Sequence, residues 1–460
     1  MAVTDCFDKN ILNKYNTTGP RYTSYPTAVA FNSSFDEQAF STAVANISLS
    51  KSAPTLSLYL HIPFCHSLCY YCGCNKIVTR NQDKVEKYLT YIKQEIRMRA
   101  PKFAGFTVNN IHFGGGTPSF LKANQLQSLL DEIAEYYDLA DEREQSIEID
   151  PREIELDYIN ELKSIGFNRI SIGVQDVNLS VQGKINRVQS TNFIQKLIAR
   201  ARSLKFKSIN IDLIYGLPSQ TLETLKETMA QVEIMSPDRI SLFSYAHMPN
   251  LFPAQRKIQE EWMPDSDLKF DLFRNSIQSL TNLGYDFIGM DHFAKKADEL
   301  SIAAEQKGLS RNFQGYTTDQ ADALLGFGVS SISNLGTAYS QNVKKLGEYY
   351  RALDGTQSLI EKGVTLTQND VKHRAAINEL MCNLYIDKQN FEQRYNIIFD
   401  KYFKDAIAHL KPFIEDNLVT NTDSFIKIHP RGRLLIRNIS MSFDQYIGQQ
   451  AHQLRYSRVI

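Results

Sequence analysis

Apolar residues alternate with polar ones at Leu56, Leu58 and Leu60, a pattern that predicts a half-buried strand. The next segment, from about Asp83 to Pro101, instead repeats its apolar residues at helical spacing. Similar strand-then-helix units recur, and the predicted strands read LSLYL, VNNIHF, SIEID, NRISIGV, SINIDLIYG and DRISLFSY. Six such units predict parallel strands joined by helical crossovers. We therefore expect an α/β fold, an incomplete (β/α)6 barrel, with an open doubly wound sheet as the alternative.

The two ends of the chain differ from this middle part. Residues 1–50 include the Pro/Tyr-rich stretch GPRYTSYPTA, which predicts an N-terminal arm that is extended rather than part of a core. Residues 51–362 hold the predicted barrel. From about residue 363 to 460 helical patterns dominate, with a stripe through Ile377, Leu380, Met381 and Leu384, so we expect a small, mostly helical C-terminal domain.

Composition narrows the possible settings. The 460 residues carry 51 Lys and Arg against 51 Asp and Glu, so no overall charge favours nucleic acid or an anionic membrane. No apolar run is long enough to span a bilayer, and the start MAVTDCFDKN has no apolar signal-peptide segment. We expect a cytoplasmic protein.

Four of the six cysteines lie within ten residues, which in a reducing compartment indicates a metal site rather than disulfides. Cys65, Cys69 and Cys72 are spaced C-x3-C-x2-C directly after the first predicted strand. Three thiolates on a four-iron cluster leave one iron open to a chelating molecule. A zinc knuckle that also uses Cys74 is the alternative.

Polar or glycine residues also follow the other strands, where barrel enzymes place their working groups. They are the turn GGGTP from Gly114 to Pro118, then Glu148, Asp150, Gln175, Asp176, Asp212 and the segment Tyr245–His247. Any one carboxylate here can simply cap the next helix, but together they predict a ligand pocket.

These motifs resemble those of radical S-adenosylmethionine enzymes. A closer resemblance, over nearly the whole chain, is to the oxygen-independent coproporphyrinogen III oxidases. It is carried by YLHIPFCHSLCYYCGCNKIVTR, HFGGGTPSFL, FIGMDHFA, RNFQGYTT and RGRLLIRNISMSFDQY. The resemblance implies the radical-SAM type of partial barrel, a [4Fe–4S] cluster on Cys65, Cys69 and Cys72, and two molecules of S-adenosylmethionine.

The resemblance also implies site residues. The positions that match the family's S-adenosylmethionine sites are Tyr59, Tyr71, Gly115, Gly116, Thr117, Glu148, Gln175, Arg187, Asp212, Ala246 and Ile332. Tyr71 stands where the family often has Phe. Tyr59, His61, Cys74 and Arg21 are the candidate catalytic residues, and Arg21, Lys76 and Arg187 are candidate partners for substrate carboxylates.

The implied reaction is decarboxylation of two propionates of coproporphyrinogen III to vinyl groups through a 5′-deoxyadenosyl radical. It implies an electron donor of the flavodoxin or ferredoxin type and an acceptor that the sequence does not identify. We expect a monomer. The alternative from another class is a haem-carrier relative, which typically lacks the fourth cysteine and carries an HNxxYW-type segment where RNFQGYTT stands here.

Overall fold

A long sheet organises the chain, and the computed structural model describes it within residues 7–447. Seven neighbouring strands in the middle of this sheet run parallel. In sheet order they are Ala323–Phe327, Thr55–Ile62, Thr107–Gly115, Asp138–Ile149, Arg169–Gln175, Ser208–Tyr215 and Arg239–Ser244. The last six are the six predicted strands.

Antiparallel strands extend the parallel part at both ends. Ile332–Asn334, Ala338–Asn342 and Ile360–Thr365 follow Ala323–Phe327, whereas His292–Lys295 and Tyr285–Gly289 follow Arg239–Ser244. Within residues 7–447 the two outermost strands do not pair with each other. The predicted incomplete barrel is confirmed.

The strand Ala323–Phe327 was not predicted. It pairs with the strand Thr55–Ile62 from Leu56 opposite Ala323 to Leu60 opposite Phe327. The backbone N–H of Thr55 donates to Asp322, a residue 267 positions away, at 3.0 Å. The strand that leads to the cysteine loop is thus held on both sides.

Helices cover the outer face of the sheet and account for much of the remaining chain. The helices of the N-terminal and barrel parts are Lys9–Lys14, Glu37–Ser50, Gln82–Arg99, Ala123–Tyr136, Tyr158–Ser164, Leu179–Lys184, Thr191–Ser203, Leu222–Met235, Ser266–Asn282, Glu299–Glu305 and Leu346–Leu353. Their apolar stripes are buried against the strands; Val85, Ile92 and Ile96, for example, are 0% exposed. Gly166 follows the helix Tyr158–Ser164 at φ +98°, the left-handed conformation in which many helices end.

The N-terminal stretch corrects one expectation. Its backbone around residues 17–27 is largely without helix or strand, but Tyr22 and Tyr25 are only 2% and 1% exposed and belong to a core cluster. The helix Glu37–Ser50 places Phe40 and Val44 in the main core. The expectation of an arm that is not part of a core is therefore wrong for these residues, because their rings are buried between the sheet and the C-terminal part.

The C-terminal part packs in a second core, which it shares with Tyr22, Tyr25 and barrel residues such as Phe270 and Ile288. Its helices are Gln368–Asn383, Lys388–Tyr395, Phe399–Tyr402, Lys404–Glu415 and Ile436–Met441, and a small sheet joins Tyr385–Asp387, Phe425–Ile428 and Val419–Asn421. The division of the chain at residues 50 and 362 stays a proposal, and residues 1–6 and 448–460 of its end segments lie outside the described residues. Between residues 7 and 447, no helix combines the length and apolarity needed to cross a membrane.

Candidate active site

The cysteine loop begins where the strand Thr55–Ile62 ends. Short parallel strands, Phe64–Cys65 and Ile77–Val78, close its base, and the backbone N–H of Thr79 donates to the carbonyl of Cys65 at 3.0 Å. Cys65 and Cys69 are 8% and 7% exposed. The loop is therefore fixed at both ends, and the side chains of Cys65 and Cys69 are buried.

Polar side chains from other strand ends donate to the sulfurs. Thr117 Oγ1 lies 3.3 Å from Cys65 Sγ, while Arg152 Nη2 and Arg187 Nη1 lie 3.4 and 3.5 Å from Cys69 Sγ. Such donors stabilise thiolates over thiols. Among the described residues no group of three or more His, Cys, Asp and Glu side chains is arranged to hold a single metal ion.

The thiols differ in acidity. The pKa of Cys72 is lowered to about 6, mainly by the hydrogen bond from Cys74 and further by the charge of Lys76, although burial opposes this. Burial raises the pKa of Cys65 to about 11 despite the hydrogen bond from Thr117. A bound cation or cluster reverses the second effect, because metal ligation requires the thiolate.

Asp150 joins two arginines beside Cys69. Its carboxylate accepts from Arg152 at 2.6 Å and from Arg187 at 3.0 Å. Burial alone would raise the pKa of Asp150, but the two guanidinium groups lower it overall. The Nε atom of Arg187 is buried without a hydrogen-bond partner among the described residues. An unpaired donor of this kind is costly unless a ligand accepts from it.

The thiols open on a cavity of about 250 Å³. Most of the predicted cluster and S-adenosylmethionine residues line it: Cys65, Cys69, Cys72, Tyr71, Gly115, Gly116, Thr117, Glu148, Gln175, Arg187 and Asp212. The structure brings these residues together from five strand ends.

Two glycines shape the wall of this cavity. Gly115 has φ +117°, and a Cβ atom there would lie 2.6 Å from the ring of His61. A Cβ atom on Gly116 would lie 2.7 Å from the backbone of Pro63. The turn at the end of the strand Thr107–Gly115 can therefore pack against the end of Thr55–Ile62 only because these two positions carry no side chain.

Glu148 and Asp212 face the same space. Glu148 accepts from the backbone N–H of Gly115 at 3.2 Å. Burial, assisted by the charge of Glu148, raises the pKa of Asp212 to about 6. Asp212 accepts hydrogen bonds from Ser171 and Asn210, at 3.2 and 2.9 Å.

A second cavity of about 490 Å³ adjoins the first, and both are lined by Cys74, Gly115, Glu148 and Phe243. Arg21, Tyr59, His61 and Ile332 line the second one only. Arg21 is held there by an ion pair with Asp291 at 2.8 Å. All four candidate catalytic residues therefore lie on one cavity.

Tyr59 and His61 form a fixed pair at the junction of the cavities. His61 Nε2 lies 3.1 Å from the carbonyl of Asn75, which can only accept, so Nε2 carries the proton. His61 Nδ1 then accepts from the Tyr59 hydroxyl at 3.1 Å. Burial lowers the pKa of His61, and the ring is neutral.

Ala246 lines neither of the two cavities. Its carbonyl accepts from Gln255 Nε2 at 3.2 Å, and the carbonyl of Tyr71 accepts from the same group at 3.0 Å. Gln255 thereby ties the cysteine loop to the end of the sixth predicted strand. Gln255 was not predicted as a site residue, because nothing in its spacing along the chain relates it to the loop.

Other residues of the site were also missed. Arg152 follows the strand-end residue Asp150 by two positions, and this proximity could have identified it as a site residue. His292 and Arg311 line the second cavity and lie in the motifs FIGMDHFA and RNFQGYTT, but neither was assigned a role.

Comparisons with known proteins agree with this geometry. The model of the radical SAM superfamily matches residues 59–232, and that of the HemN C-terminal domain matches residues 366–435. Oxygen-independent coproporphyrinogen III oxidase from Salmonella typhimurium is 48% identical over 454 residues, covering 99% of this chain and 98% of the relative. The protein of that name from Synechocystis is 44% identical, with 99% and 98% covered.

A solved structure is equally similar. It is described as coproporphyrinogen III oxidase (HemN) from Escherichia coli, a radical SAM enzyme, and superposes with a TM-score of 0.91 at 47% identity. The match covers 95% of this chain and 99% of that one. Similarity over essentially the full length, together with three cysteines on a strand-end cavity, leads to one assignment: the chain belongs to the family of oxygen-independent coproporphyrinogen III oxidases, within the radical SAM enzymes.

Proposed function

We propose that this chain converts coproporphyrinogen III to protoporphyrinogen IX without oxygen, in haem biosynthesis. Each of two propionates loses a β-hydrogen atom, carbon dioxide and one electron and becomes a vinyl group. The observation that carries the proposal is the pair of joined cavities, one lined by three cysteines and the other by Arg21, Tyr59 and His61, in a chain that matches these oxidases from end to end.

The cofactors are a [4Fe–4S] cluster and S-adenosylmethionine, as in the radical SAM family. The donor set fits a cluster, because three cysteine thiols line one cavity and side-chain donors lie 3.3 to 3.5 Å from two of them, Cys65 and Cys69. Cys65, Cys69 and Cys72 would hold it. When bound, cluster and S-adenosylmethionine together supply a radical that removes a hydrogen atom from the substrate.

The remaining walls of the first cavity would bind S-adenosylmethionine. The glycine turn presents backbone groups, Glu148 and Asp212 offer acceptors, and Arg187 offers the unpartnered Nε donor. We assign Tyr71, Thr117 and Gln175 to the same set. A second S-adenosylmethionine in the adjoining cavity, near Ile332 and Tyr59, extends the proposal.

The chain's own groups at the junction would orient the substrate. The Tyr59 hydroxyl is fixed by neutral His61, and His61 by the carbonyl of Asn75, so the Tyr59 proton points in a defined direction. Cys74 lines both cavities and would touch cofactor and substrate. Arg21 would pair with a propionate.

Further parts of the proposal concern the cell. The electron donor is of the flavodoxin or ferredoxin type, and one electron per propionate passes to an acceptor of unknown identity. The protein acts as a monomer. The protein is located in the cytoplasm, because free thiols that hold an oxidisable iron–sulfur cluster persist in a reducing compartment.

An anaerobic turnover assay tests the function. Reconstituted protein receives coproporphyrinogen III, S-adenosylmethionine and a reductant, and protoporphyrin fluorescence is read after oxidation. We expect product only when S-adenosylmethionine is present. A cluster-loaded protein that cleaves S-adenosylmethionine but forms no product would point to the haem-carrier relative instead.

Cys69→Ser tests the assignment of the cluster ligands. Its serine should lower iron content and abolish turnover, whereas Cys382→Ser, a buried cysteine of the C-terminal part, should keep both. A Cys69→Ser protein that retained a four-iron cluster and full activity would contradict the ligand assignment.

A further inference from the structure

Arg311 carries a hydrogen-bond donor that the protein does not use. Its Nη1 atom is buried and has no hydrogen-bond partner within residues 7–447. Its Nε atom donates to the carbonyl of Arg21 at 3.3 Å, and its guanidinium lies 4.7 Å from the centre of the Tyr316 ring. The side chain is thus held in place while one donor remains unsatisfied, which is costly in the absence of a ligand.

His292 provides a second unused atom on the same cavity. Its Nδ1 is also buried without a partner in the described part of the chain. The ring packs against the edges of Phe243 and Tyr316, with centroids 6.4 and 5.4 Å apart. Burial and the charge of Arg311 lower the pKa of His292 to about 3, so the ring is neutral and can donate from Nδ1.

The two arginines at this end of the second cavity, Arg21 and Arg311, differ in whether they have a counter-ion. Asp291 accepts from Arg21 at 2.8 Å, so the charge of Arg21 is already paired. Within residues 7–447 no carboxylate lies within ion-pair distance of Arg311. A partly buried guanidinium without a counter-ion, beside a neutral donor, is suited to a carboxylate ligand.

The position of Arg311 identifies which carboxylate. The two cavities meet at Cys74, Gly115 and Glu148, whereas Arg311 and His292 line only the larger one. A flat substrate with four carboxylates that places one propionate at the junction must place others farther away. These others remain unchanged while the first reacts.

We propose that Arg311 and His292 together bind a propionate carboxylate of the substrate that is not the one reacting, so that they set the distance of the macrocycle from the cysteine loop. This inference rests on the proposed function. Arg311 is the charged partner, and His292 adds a hydrogen bond from a neutral ring.

Binding tests this without turnover. Cluster-loaded wild type and Arg311→Gln are titrated with coproporphyrin III, the stable oxidised form of the substrate, and with protoporphyrin IX, which retains two propionates. Porphyrin fluorescence reports the dissociation constants. We expect Arg311→Gln to weaken binding of both about 10- to 100-fold, the range for loss of a charged hydrogen bond. Arg311→Lys, which keeps the charge, should lose less.

Arg351→Gln is the matched control, because Arg351 is exposed on the helix Leu346–Leu353, lines neither cavity, and its side chain donates to Gln357 at 3.4 Å. It should bind both porphyrins within twofold of wild type. Equilibrium dialysis with S-adenosylmethionine counts the molecules bound per chain and verifies that Arg311→Gln is folded. We expect the count to equal that of wild type.

Three outcomes overturn the proposal. If Arg311→Gln binds coproporphyrin III with the affinity of wild type, Arg311 does not bind the substrate. Weaker binding of coproporphyrin III but not of protoporphyrin IX assigns Arg311 to a reacting propionate. Loss of one S-adenosylmethionine with unchanged porphyrin binding assigns the carboxylate to that cofactor. Absence of turnover by wild type would instead reject the proposed function, so the two failures are distinguishable.

Discussion

Asp176 shows what burial does to a single residue of this sheet. It is 0% exposed and accepts from Gln220 Nε2 and from the backbone N–H of Asn178, both at 2.7 Å. Burial raises its pKa to about 6 in spite of these hydrogen bonds. The folded state therefore holds a proton more tightly than the unfolded chain between about pH 4 and pH 6.

Asp176 should therefore make the free energy of unfolding depend on pH. As pH rises through this window, the contribution of Asp176 to the free energy of unfolding falls, by roughly 2 kcal/mol between pH 4 and pH 7. Asp176→Asn removes the titration, so wild type should lose about that much stability relative to the variant over the same range. Urea unfolding of both proteins at several pH values measures the difference. Parallel profiles would show that Asp176 does not titrate here.

The same residue marks the limit of what the sequence could predict. Asp176 directly follows the strand Arg169–Gln175, whereas Asp212 lies inside the strand Ser208–Tyr215, and the sequence left ligand binding and helix capping open for each. Asp176 accepts from the backbone N–H of Asn178, the residue that caps the helix Leu179–Lys184, whereas Asp212 lines the cluster cavity. Spacing along one strand cannot separate them, because the difference lies in what the neighbouring strands and loops place around each side chain.

At the scale of elements, the glycine turn makes a close contact between two strand ends. A methyl group on Gly116 would lie 2.7 Å from the backbone of Pro63, which cannot move aside cheaply. We expect Gly116→Ala to lower the free energy of unfolding by about 1–3 kcal/mol, the usual cost of overpacking, and to weaken S-adenosylmethionine binding. Chemical unfolding and equilibrium dialysis measure the two effects.

Gly183→Ala serves as its control. Gly183 lies in the helix Leu179–Lys184, and an added Cβ atom there meets no other atom within 4 Å. Since alanine favours helix over glycine, this variant should be as stable as wild type or slightly more so. Equal losses in both variants would mean that the contact with Pro63 is not the cause.

The helix Glu37–Ser50 is an element that the sequence analysis did not identify, although Phe40, Ala43, Val44 and Ile47 have helical spacing. Phe40 is 1% exposed and lies beneath the guanidinium of Arg99 at 4.3 Å. Phe40→Ala should lower the free energy of unfolding by about 3–5 kcal/mol, as expected for a buried aromatic ring.

Leu49 of the same helix is 86% exposed, so Leu49→Ala should change stability by less than about 0.5 kcal/mol. Urea unfolding compares the two variants directly. Similarly small losses of unfolding free energy in both variants would mean that the Phe40 ring contributes little to the core.

At the scale of the whole molecule, the first residues lie between the sheet and the C-terminal part. Arg437 donates to the carbonyl of Pro20 at 3.0 Å, and Asn438 donates to that of Tyr15 at 2.8 Å. These contacts place Arg21 on the second cavity. The barrel was predictable because its strand and helix patterns are local, but this docking joins residues more than 400 positions apart.

We therefore expect Arg437→Gln to loosen residues 15–25. Loss of the donor to Pro20 should raise the rate of proteolytic cleavage there on the order of tenfold. Timed digestion with mass spectrometry locates the cuts. Arg394→Gln, which removes the ion pair between the exposed Arg394 side chain and half-buried Glu379, should be cut at the wild-type rate. Unchanged cleavage in Arg437→Gln would mean that other contacts hold the segment.

The pairing of Thr55–Ile62 with Ala323–Phe327 also bears on how the protein is made. Thr55 and Asp322 are separated by 267 residues, and a ribosome adding about 5–20 residues per second needs tens of seconds to cross that distance. During this time the strand before the cysteine loop has a free edge that can pair with another nascent chain. Ribosome-bound chains that end before and after Phe327 should differ in their tendency to aggregate.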